Sequence, residues 1–183
     1  MLNTIFFNNF YWQFKAPNCE ELNSRIGSIP SEESGEFGWG ETCEVYRSRI
    51  KVSEWTDLIV PNINILSNIL QKPFKSKINE GWINFYNRGF FQEIHSHSDC
   101  DFVMVYFPQT PKEGYSKFYF YDRNEPLLTY QTQKLLGTVE CWYPDIQGGD
   151  FLVFPHSMLH GVTPHKHEDI RQSLSINLKI QAL

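Results

Sequence analysis

The alternation of hydrophobic and polar positions differs between the first 76 residues and the rest of the chain. The segment TIFFNNFYWQF (residues 4–14) has the aromatic content of a strand. NCEELNSRIGSI (residues 18–29) predicts a short helix, because Asn18 is a good N-cap and Glu21 follows three residues later, as in a capping box. The N-terminal part is therefore predicted to begin with a strand and a helix.

A second helix is predicted within SEWTDLIVPNINILSNILQK (residues 53–72), where apolar residues recur at spacings of three and four. Proline cannot donate a backbone hydrogen bond inside a helix, so we expect this helix to bend or restart at Pro61. The apolar positions that carry the pattern are Ile59, Ile63, Leu66 and Leu70.

From residue 77 onward the pattern changes to short runs rich in β-branched and aromatic residues, separated by Gly, Pro, Asn and Asp. The runs are INEGWINFYN, FQEIH, FVMVYF, KFYFYD, TVECWY, DFLVF, HGVT and QSLSINLKI. Helices followed by many short strands predict a mainly β (α+β) fold, a jelly roll with supporting N-terminal helices. We expect one domain over residues 1–183, in which residues 1–76 pack on a jelly-roll core of residues 77–183.

Composition and charge narrow the functional classes. A chain of 183 residues with 41% hydrophobic residues can bury a core of its own. The net charge of −5, without a basic block, makes a nucleic-acid partner unattractive. The four cysteines lack metal-site spacing, and the N-terminus resembles neither a signal peptide nor a membrane span. We therefore expect a cytoplasmic protein with reduced thiols and no membrane partner.

Candidate chemistry begins in FQEIHSHSDCDF (residues 91–102), where His95 and His97 are separated by one residue. Alternate side chains of an extended strand end project to the same side, so this spacing suits a pair of metal ligands. Two histidines in a polar turn are the alternative interpretation. A third ligand should come from a remote strand, and His160 in GGDFLVFPHSMLHGVTPH (residues 148–165) is the best candidate.

An anionic cosubstrate would also need an anchor. Arg171 opens RQSLSINL (residues 171–178), where its guanidinium could bind a carboxylate through two hydrogen bonds, and Ser173 faces the same way. A surface ion pair of Arg171 with Glu168 or Asp169, and a plain strand role for Ser173, are the alternatives.

In this order, HxH, GD-aliphatic-FP, His and RxS, the segment of residues 80–180 resembles the Fe(II)- and 2-oxoglutarate-dependent oxygenases, particularly their prolyl-hydroxylase-like branch. The resemblance implies a double-stranded β-helix, a non-haem Fe(II) dioxygenase that consumes O₂ and 2-oxoglutarate, and hydroxylation with release of succinate and CO₂. It also implies metal ligands His95, His97 and His160, and cosubstrate contacts from Arg171, Ser173 and Tyr86. The substrate, small molecule or peptidyl, is not specified.

The sequence departs from the usual HxD/E…H triad of that family, because position 97 is His. Either three histidines hold the metal, or His97 and Asp99 form the pair and His95 lies outside it. A three-His, cupin-like dioxygenase that needs no 2-oxoglutarate and a non-catalytic metal-binding jelly roll are the alternative functions.

The sequence also suggests places for other histidines and polar residues. His156 and His160 are four apart, as on a helix-borne zinc site, but Pro155 makes a helix there unlikely. His165 and His167 lie in the charged segment PHKHEDIR and are expected to be exposed. Cys100 is expected to be a small buried residue. Asn84 and Tyr106 are candidates to line the pocket, and the loop SEESGEFGWGE (residues 31–41) is a candidate to cover its mouth.

Overall fold

The computed structural model describes residues 9–30, 36–37, 45–122, 129–137 and 139–183. Within these ranges the chain forms three α-helices, a short 3-10 helix at Val52–Glu54 and eleven strands. The helices are α1 (Cys19–Gly27), α2 (Thr56–Leu70) and α3 (Tyr130–Leu136). The strands are β1 (Trp12–Lys15), β2 (Glu36–Phe37), β3 (Tyr46–Arg49), β4 (Phe74–Tyr86), β5 (Gln92–His95), β6 (Phe102–Phe107), β7 (Phe118–Tyr121), β8 (Cys141–Trp142), β9 (Asp150–Pro155), β10 (His160–Val162) and β11 (Arg171–Ala182).

The described strands form two antiparallel sheets that face each other. The larger has the order β1-β9-β6-β11-β4-β3-β2, and the smaller has the order β5-β10-β7-β8. This arrangement is the double-stranded β-helix that the sequence predicts. The strands β1, β2 and β3 of the N-terminal part extend the larger sheet, so this part contributes strands as well as packing helices.

Two hydrophobic clusters hold the layers together, and the period-two alternation of the strands assigns residues to them. The first lies between α1, α2 and the outer face of the larger sheet, and its strand members include Ile83, Phe85, Met104, Tyr106, Phe151, Val153, Leu174, Ile176 and Leu178. The second lies between the two sheets, and its members include Tyr86, Val103, Val105, Phe107, Phe118, Phe120, Leu152, Phe154 and Val162.

Both predicted helices are present, with two local differences. Asn18 precedes α1, but its side chain makes no cap hydrogen bond. Instead, its amide donates to the Leu58 carbonyl and its oxygen accepts from Asn62, so tertiary contacts with α2 replace the capping box. The second helix runs unbroken through Pro61. The proline leaves only the Asp57 carbonyl without its helical donor, and Asp57 is exposed to water in the first turn.

All eight strands predicted from residue 77 onward are confirmed, whereas β2, β3 and α3 were not predicted. The first predicted strand is present as β1, and its residues 4–8 lie outside the described residues. Most of the loop at residues 31–41 also lies outside them, so its predicted place over the site stays a prediction. No helix in the described ranges combines the length and apolarity that crossing a bilayer requires.

Candidate functional site

The three predicted metal ligands come together at one end of the space between the sheets. His95 ends β5 and His160 begins β10, and the antiparallel register pairs these two residues directly. His97 follows two residues after His95. The ring centroids are 4.1 Å apart for His95 and His160, 5.1 Å for His97 and His160, and 5.4 Å for His95 and His97. One ligand nitrogen from each ring lies within 4.8 Å of the other two.

Hydrogen bonds fix which nitrogen of each ring could bind a metal. The Nδ1 of His95 lies 2.8 Å from the Glu93 carbonyl oxygen, and that of His160 lies 2.9 Å from the Met158 carbonyl oxygen. A carbonyl oxygen only accepts, so both Nδ1 atoms carry the proton. The Nδ1 of His97 likewise lies 2.6 Å from the side-chain oxygen of Asn177. Each Nε2 therefore keeps a lone pair for a shared cation.

Burial keeps these rings neutral. It lowers the pKa of His95 to about 3, against the opposing effect of the Glu93 hydrogen bond. Burial lowers the pKa of His160 far below the ordinary value, and the neighbouring His95 and His97 lower it further. The pKa of His97 is also lowered by burial, while the bond to Asn177 opposes the shift. Neutral imidazole is the form that binds a divalent metal, so near neutral pH the cluster is ready to do so.

Asp99 is not part of this cluster. Its carboxylate is bonded to Lys179 at 2.6 Å, and its backbone has a φ of 57°. Salt-bridged to lysine, the carboxylate has its pKa lowered by the Lys179 hydrogen bond. Among the described residues, the metal-ligand group contains only the three histidines. The geometry therefore favours the pair His95 and His97 over the pair His97 and Asp99.

Arg171 lies at the start of β11 and is 6% exposed. Its Cζ is 4.8 Å from the Tyr86 ring centroid and 5.5 Å from that of Phe107. Burial lowers the pKa of Arg171, and Tyr86 partly offsets this effect. Glu168 and Asp169 pair instead with Arg88 and Lys112. The alternative surface ion pair of Arg171 is therefore not formed.

One atom of Arg171 has no partner in the described part of the chain: its Nη1 is fully buried without a hydrogen bond. An unsatisfied buried donor costs about 1–3 kcal/mol, and more when it is charged. The same cavity is lined by Arg171 and the three histidines. An orphaned guanidinium donor and three convergent Nε2 atoms fit a metal with a carboxylate-bearing cosubstrate.

Tyr86 and Ser173 also line this cavity. The Tyr86 hydroxyl donates to the Gln92 side-chain oxygen at 2.5 Å, so its proton is already engaged. Ser173 Oγ accepts a 3.3 Å hydrogen bond from the Asn84 amide, which leaves its own hydroxyl hydrogen for a ligand. The predicted cosubstrate contacts of Tyr86 and Ser173 stay predictions.

One exposure prediction was wrong. His165 is 1% exposed, because its Nδ1 accepts from the Ser116 amide and its Nε2 donates to the Asp169 carbonyl. Its neighbour His167 is half-buried. The charged composition of PHKHEDIR predicted exposure of both histidines, but the distant Ser116 amide and the local Asp169 carbonyl engage both ring nitrogens of His165.

The remaining candidates differ in whether they line the cavity. Asn84 lines the cavity, whereas the Tyr106 hydroxyl donates to Asn23 on the helix side of the sheet. His156 follows strand β9 and binds the His97 carbonyl through its Nδ1, so no helical zinc pair with His160 forms. Cys100 is buried, as predicted.

Sequence reasoning missed four residues of this region: Arg47, Trp82, Gln92 and Asn177. The Trp82 ring stacks on His97 at 5.6 Å, and the Arg47 guanidinium lies 5.1 Å from the Trp82 ring. The only sequence signal for Trp82 was its parity with Asn84 and Tyr86 along β4. Arg47 carried no signal, because it lies in a strand that was not predicted.

Comparisons with known proteins agree with this geometry. A protein-family model described as "Putative 2OG-Fe(II) oxygenase" matches residues 80–177. No curated protein matches the chain by sequence. Among solved structures, an oxidoreductase of the 2OG-Fe(II) oxygenase family from Burkholderia pseudomallei has a TM-score of 0.67 and 12% identity over 92% of this chain and 84% of its own.

Two further structures are similar at the level of the fold. The viral collagen prolyl hydroxylase of Paramecium Bursaria Chlorella virus-1, in its 2-oxoglutarate complex, has a TM-score of 0.61 and 11% identity over 93% of this chain and 96% of its own. HygX from Streptomyces hygroscopicus, with iron bound, has a TM-score of 0.62 and 10% identity over 93% of this chain and 82% of its own. The family match covers more than half of the chain, and the protein therefore belongs to the 2OG-Fe(II) oxygenase family.

Proposed function

We propose that the protein is a non-haem Fe(II)- and 2-oxoglutarate-dependent dioxygenase in which His95, His97 and His160 hold the metal and Arg171 anchors 2-oxoglutarate. The observation that carries this assignment is the single cavity lined both by the three histidines and by the orphaned guanidinium. When bound together, Fe(II) and 2-oxoglutarate supply the activation of O₂, with release of succinate and CO₂.

The residues of the chain divide the remaining tasks. The carbonyl groups of Glu93 and Met158 accept the Nδ1 protons of His95 and His160, which would leave Nε2 as the metal-binding atom of each ring. Arg171 would donate a hydrogen bond from Nη1 to the distal carboxylate of 2-oxoglutarate. This bond would satisfy a buried donor that has no partner among the described residues. The Tyr86 ring would hold the guanidinium in place by its cation–π contact. Ser173 would donate its hydroxyl hydrogen to 2-oxoglutarate.

The reaction is proposed to be hydroxylation of a small-molecule or peptidyl substrate. Similar structures carry names of both kinds: one holds hygromycin B and another is a collagen prolyl hydroxylase. Likeness of fold therefore does not choose between them. The free thiols of Cys19, Cys100 and Cys141 support a cytoplasmic location, which cell fractionation would test.

Anaerobic titration of the apoprotein tests this function. We expect a visible metal-to-ligand charge-transfer band when Fe(II) and 2-oxoglutarate are both present, and its loss in Arg171→Met. An iron-loaded, folded sample without the band would contradict the proposal.

The three-His cupin-like dioxygenase is a second candidate, because the described ligand group contains no carboxylate. It requires no 2-oxoglutarate, so oxygen consumption that is independent of 2-oxoglutarate would favour it.

A further inference from the structure

Two hydrogen bonds in series connect His97 to a carboxylate outside the ligand group. The Nδ1 of His97 lies 2.6 Å from Asn177 Oδ1, and Asn177 Nδ2 donates to Glu80 Oε1 at 2.7 Å. Asn177 and Glu80 are direct partners across the β11–β4 ladder. Asn177 is 3% exposed, so this path lies inside the protein, while the Glu80 side chain is partly open to water beside Arg49.

The direction of each bond follows from the chemistry of the carboxylate. A carboxylate only accepts hydrogen bonds, so Glu80 draws the NH₂ group of Asn177 toward itself. The amide oxygen must then face His97 and can only accept. His97 is thereby held with its proton on Nδ1 and its lone pair on Nε2, which is the form a metal requires.

This arrangement differs from those of the other two ligands. The Nδ1 atoms of His95 and His160 donate to backbone carbonyls, which carry no net charge. His97, in contrast, is connected through the Asn177 side chain to the acidic residue Glu80.

We propose that Asn177 and Glu80 are positioning residues that orient His97. The Glu80 carboxylate, acting through the Asn177 amide, also supplies negative charge near the metal centre in place of a ligand carboxylate. This inference rests on the proposed function, since it assumes that the three histidines bind a metal. The described residues that line the cavity include Arg47 and Arg171 but no acid. Three neutral imidazoles bring no negative charge to offset a bound divalent ion, and Glu80 supplies it through a polarised amide.

Two substitutions separate orientation from charge. Glu80→Leu removes the acceptor, so the Asn177 amide can turn and both tautomers of His97 become available. Glu80→Gln keeps an acceptor oxygen of the same shape and removes the charge. Glu80 is partly exposed, so both variants should fold, and circular dichroism would verify this.

Asp99→Asn is the matched control, because it removes the same charge two residues from His97. Asp99 is bonded to Lys179 and has no contact with the ligands. Its positive φ is one that Asn also adopts readily.

The experiment has two readouts. Long-range ¹H–¹⁵N correlation of the metal-free protein at neutral pH reports the His97 tautomer, and calorimetric titration with Co(II) reports metal affinity. We expect one Nδ1–H tautomer in the wild type and a mixture in Glu80→Leu. We expect Co(II) affinity to fall by about 10- to 100-fold in Glu80→Leu, as when other hydrogen-bond partners of metal ligands are lost, and by about 10-fold in Glu80→Gln.

An unchanged His97 tautomer in Glu80→Leu overturns the orienting role. Wild-type Co(II) affinity in Glu80→Gln, or an equal loss in Asp99→Asn, overturns the electrostatic role. If the wild type itself fails to bind Co(II), the proposed function fails instead. The tautomer readout still tests whether Asn177 and Glu80 orient His97.

Discussion

Both faces of β11 are buried, but one is apolar and the other is polar. Toward the helices the strand presents Leu174, Ile176 and Leu178, each 0% exposed and packed in the outer cluster. Toward the smaller sheet it presents four buried polar residues: Arg171, Ser173, Ser175 and Asn177. Burying apolar side chains stabilises the fold, whereas burying polar ones costs stability unless each finds a partner. The apolar face therefore contributes to the core, whereas the polar face contributes to the candidate site.

The neighbouring strands show where this division ends. Strand β4 repeats it, with Ile83 and Phe85 toward the helices and Asn84 toward the cavity. Strands β6 and β9 instead present apolar residues to both sides. The polar strip, formed by the buried polar residues of β11 and by Asn84 of β4, faces the cavity beside Arg47 of β3, so it can be altered separately from the core.

The largest effect is expected from His160→Ala, on the cavity side. His160 is 3% exposed and lies closest to His95 in the ligand group. Its loss leaves two ligands, and even the loss of a hydrogen-bond partner of a ligand lowers metal affinity or activity by about 10- to 100-fold. We expect succinate release from 2-oxoglutarate to fall by more than about 100-fold while the fold remains. Turnover near the wild-type rate in a metal-analysed sample would remove His160 from the ligand set.

The opposite pattern is expected from Ile176→Ala on the helix-facing side of the same strand. Truncating a fully buried isoleucine costs about 2–5 kcal/mol of unfolding free energy, because a cavity remains. Urea unfolding would measure the loss, and Co(II) affinity would stay at the wild-type value. A large loss of metal affinity without loss of stability would show that the two faces are not separable.

Arg171→Met should change stability and binding in opposite directions. Removing one partner of a buried charge–carboxylate contact costs about 2–5 kcal/mol of binding energy, so 2-oxoglutarate affinity should fall at least about 30-fold. The apoprotein should become more stable by about 1–3 kcal/mol, because the orphaned Nη1 is gone. Isothermal titration and urea unfolding give the two values. Arg88→Met, at an exposed ion pair with Glu168, is the control and should change neither.

The cavity face should also make the metal-free protein sensitive to acid. His95 has a folded-state pKa of about 3, below the ordinary value of 6.5, so the unfolded chain takes up the proton first. Stability from this group is complete above about pH 6.5 and is lost as pH falls toward 3, at up to about 1.4 kcal/mol per pH unit. His160 acts in the same direction. Unfolding curves between pH 7 and 4 would show the slope, and His95→Asn should reduce it; equal slopes in both proteins would count against a buried neutral His95.

Much of this division could be predicted from local sequence patterns. RQSLSINLK alternates polar and apolar residues with the period of a strand, which separates its two faces before any pairing is known. The clustering of His95, His97 and His160 was predictable from the HxH spacing and the predicted strand ends, and their role as metal ligands stays a prediction. The eight C-terminal strands were also predicted from local patterns.

What the sequence could not show depends on register and on tertiary partners. Asn177 meets Glu80 only because β11 and β4 pair in one register, with an irregularity directly after Asn177. His165 is buried by the Ser116 amide, 49 residues earlier in the chain. The Asn18 side chain accepts a hydrogen bond from Asn62 of α2 and does not form the predicted capping box. In each case a distant partner overrides the local preference, and no spacing rule contains that information.

The smallest effect is expected from Asp99→Asn, although Asp99 is the carboxylate nearest to His97 in sequence. Its side chain is 75% exposed and pairs with Lys179, and exposed ion pairs contribute little. We expect changes below about 0.5 kcal/mol in unfolding free energy, with metal and 2-oxoglutarate affinity unaltered. Isothermal titration and urea unfolding would measure both. If Asp99→Asn instead abolished metal binding, the ligand pair would be His97 and Asp99, and the polar strip of β11 would face a differently charged metal.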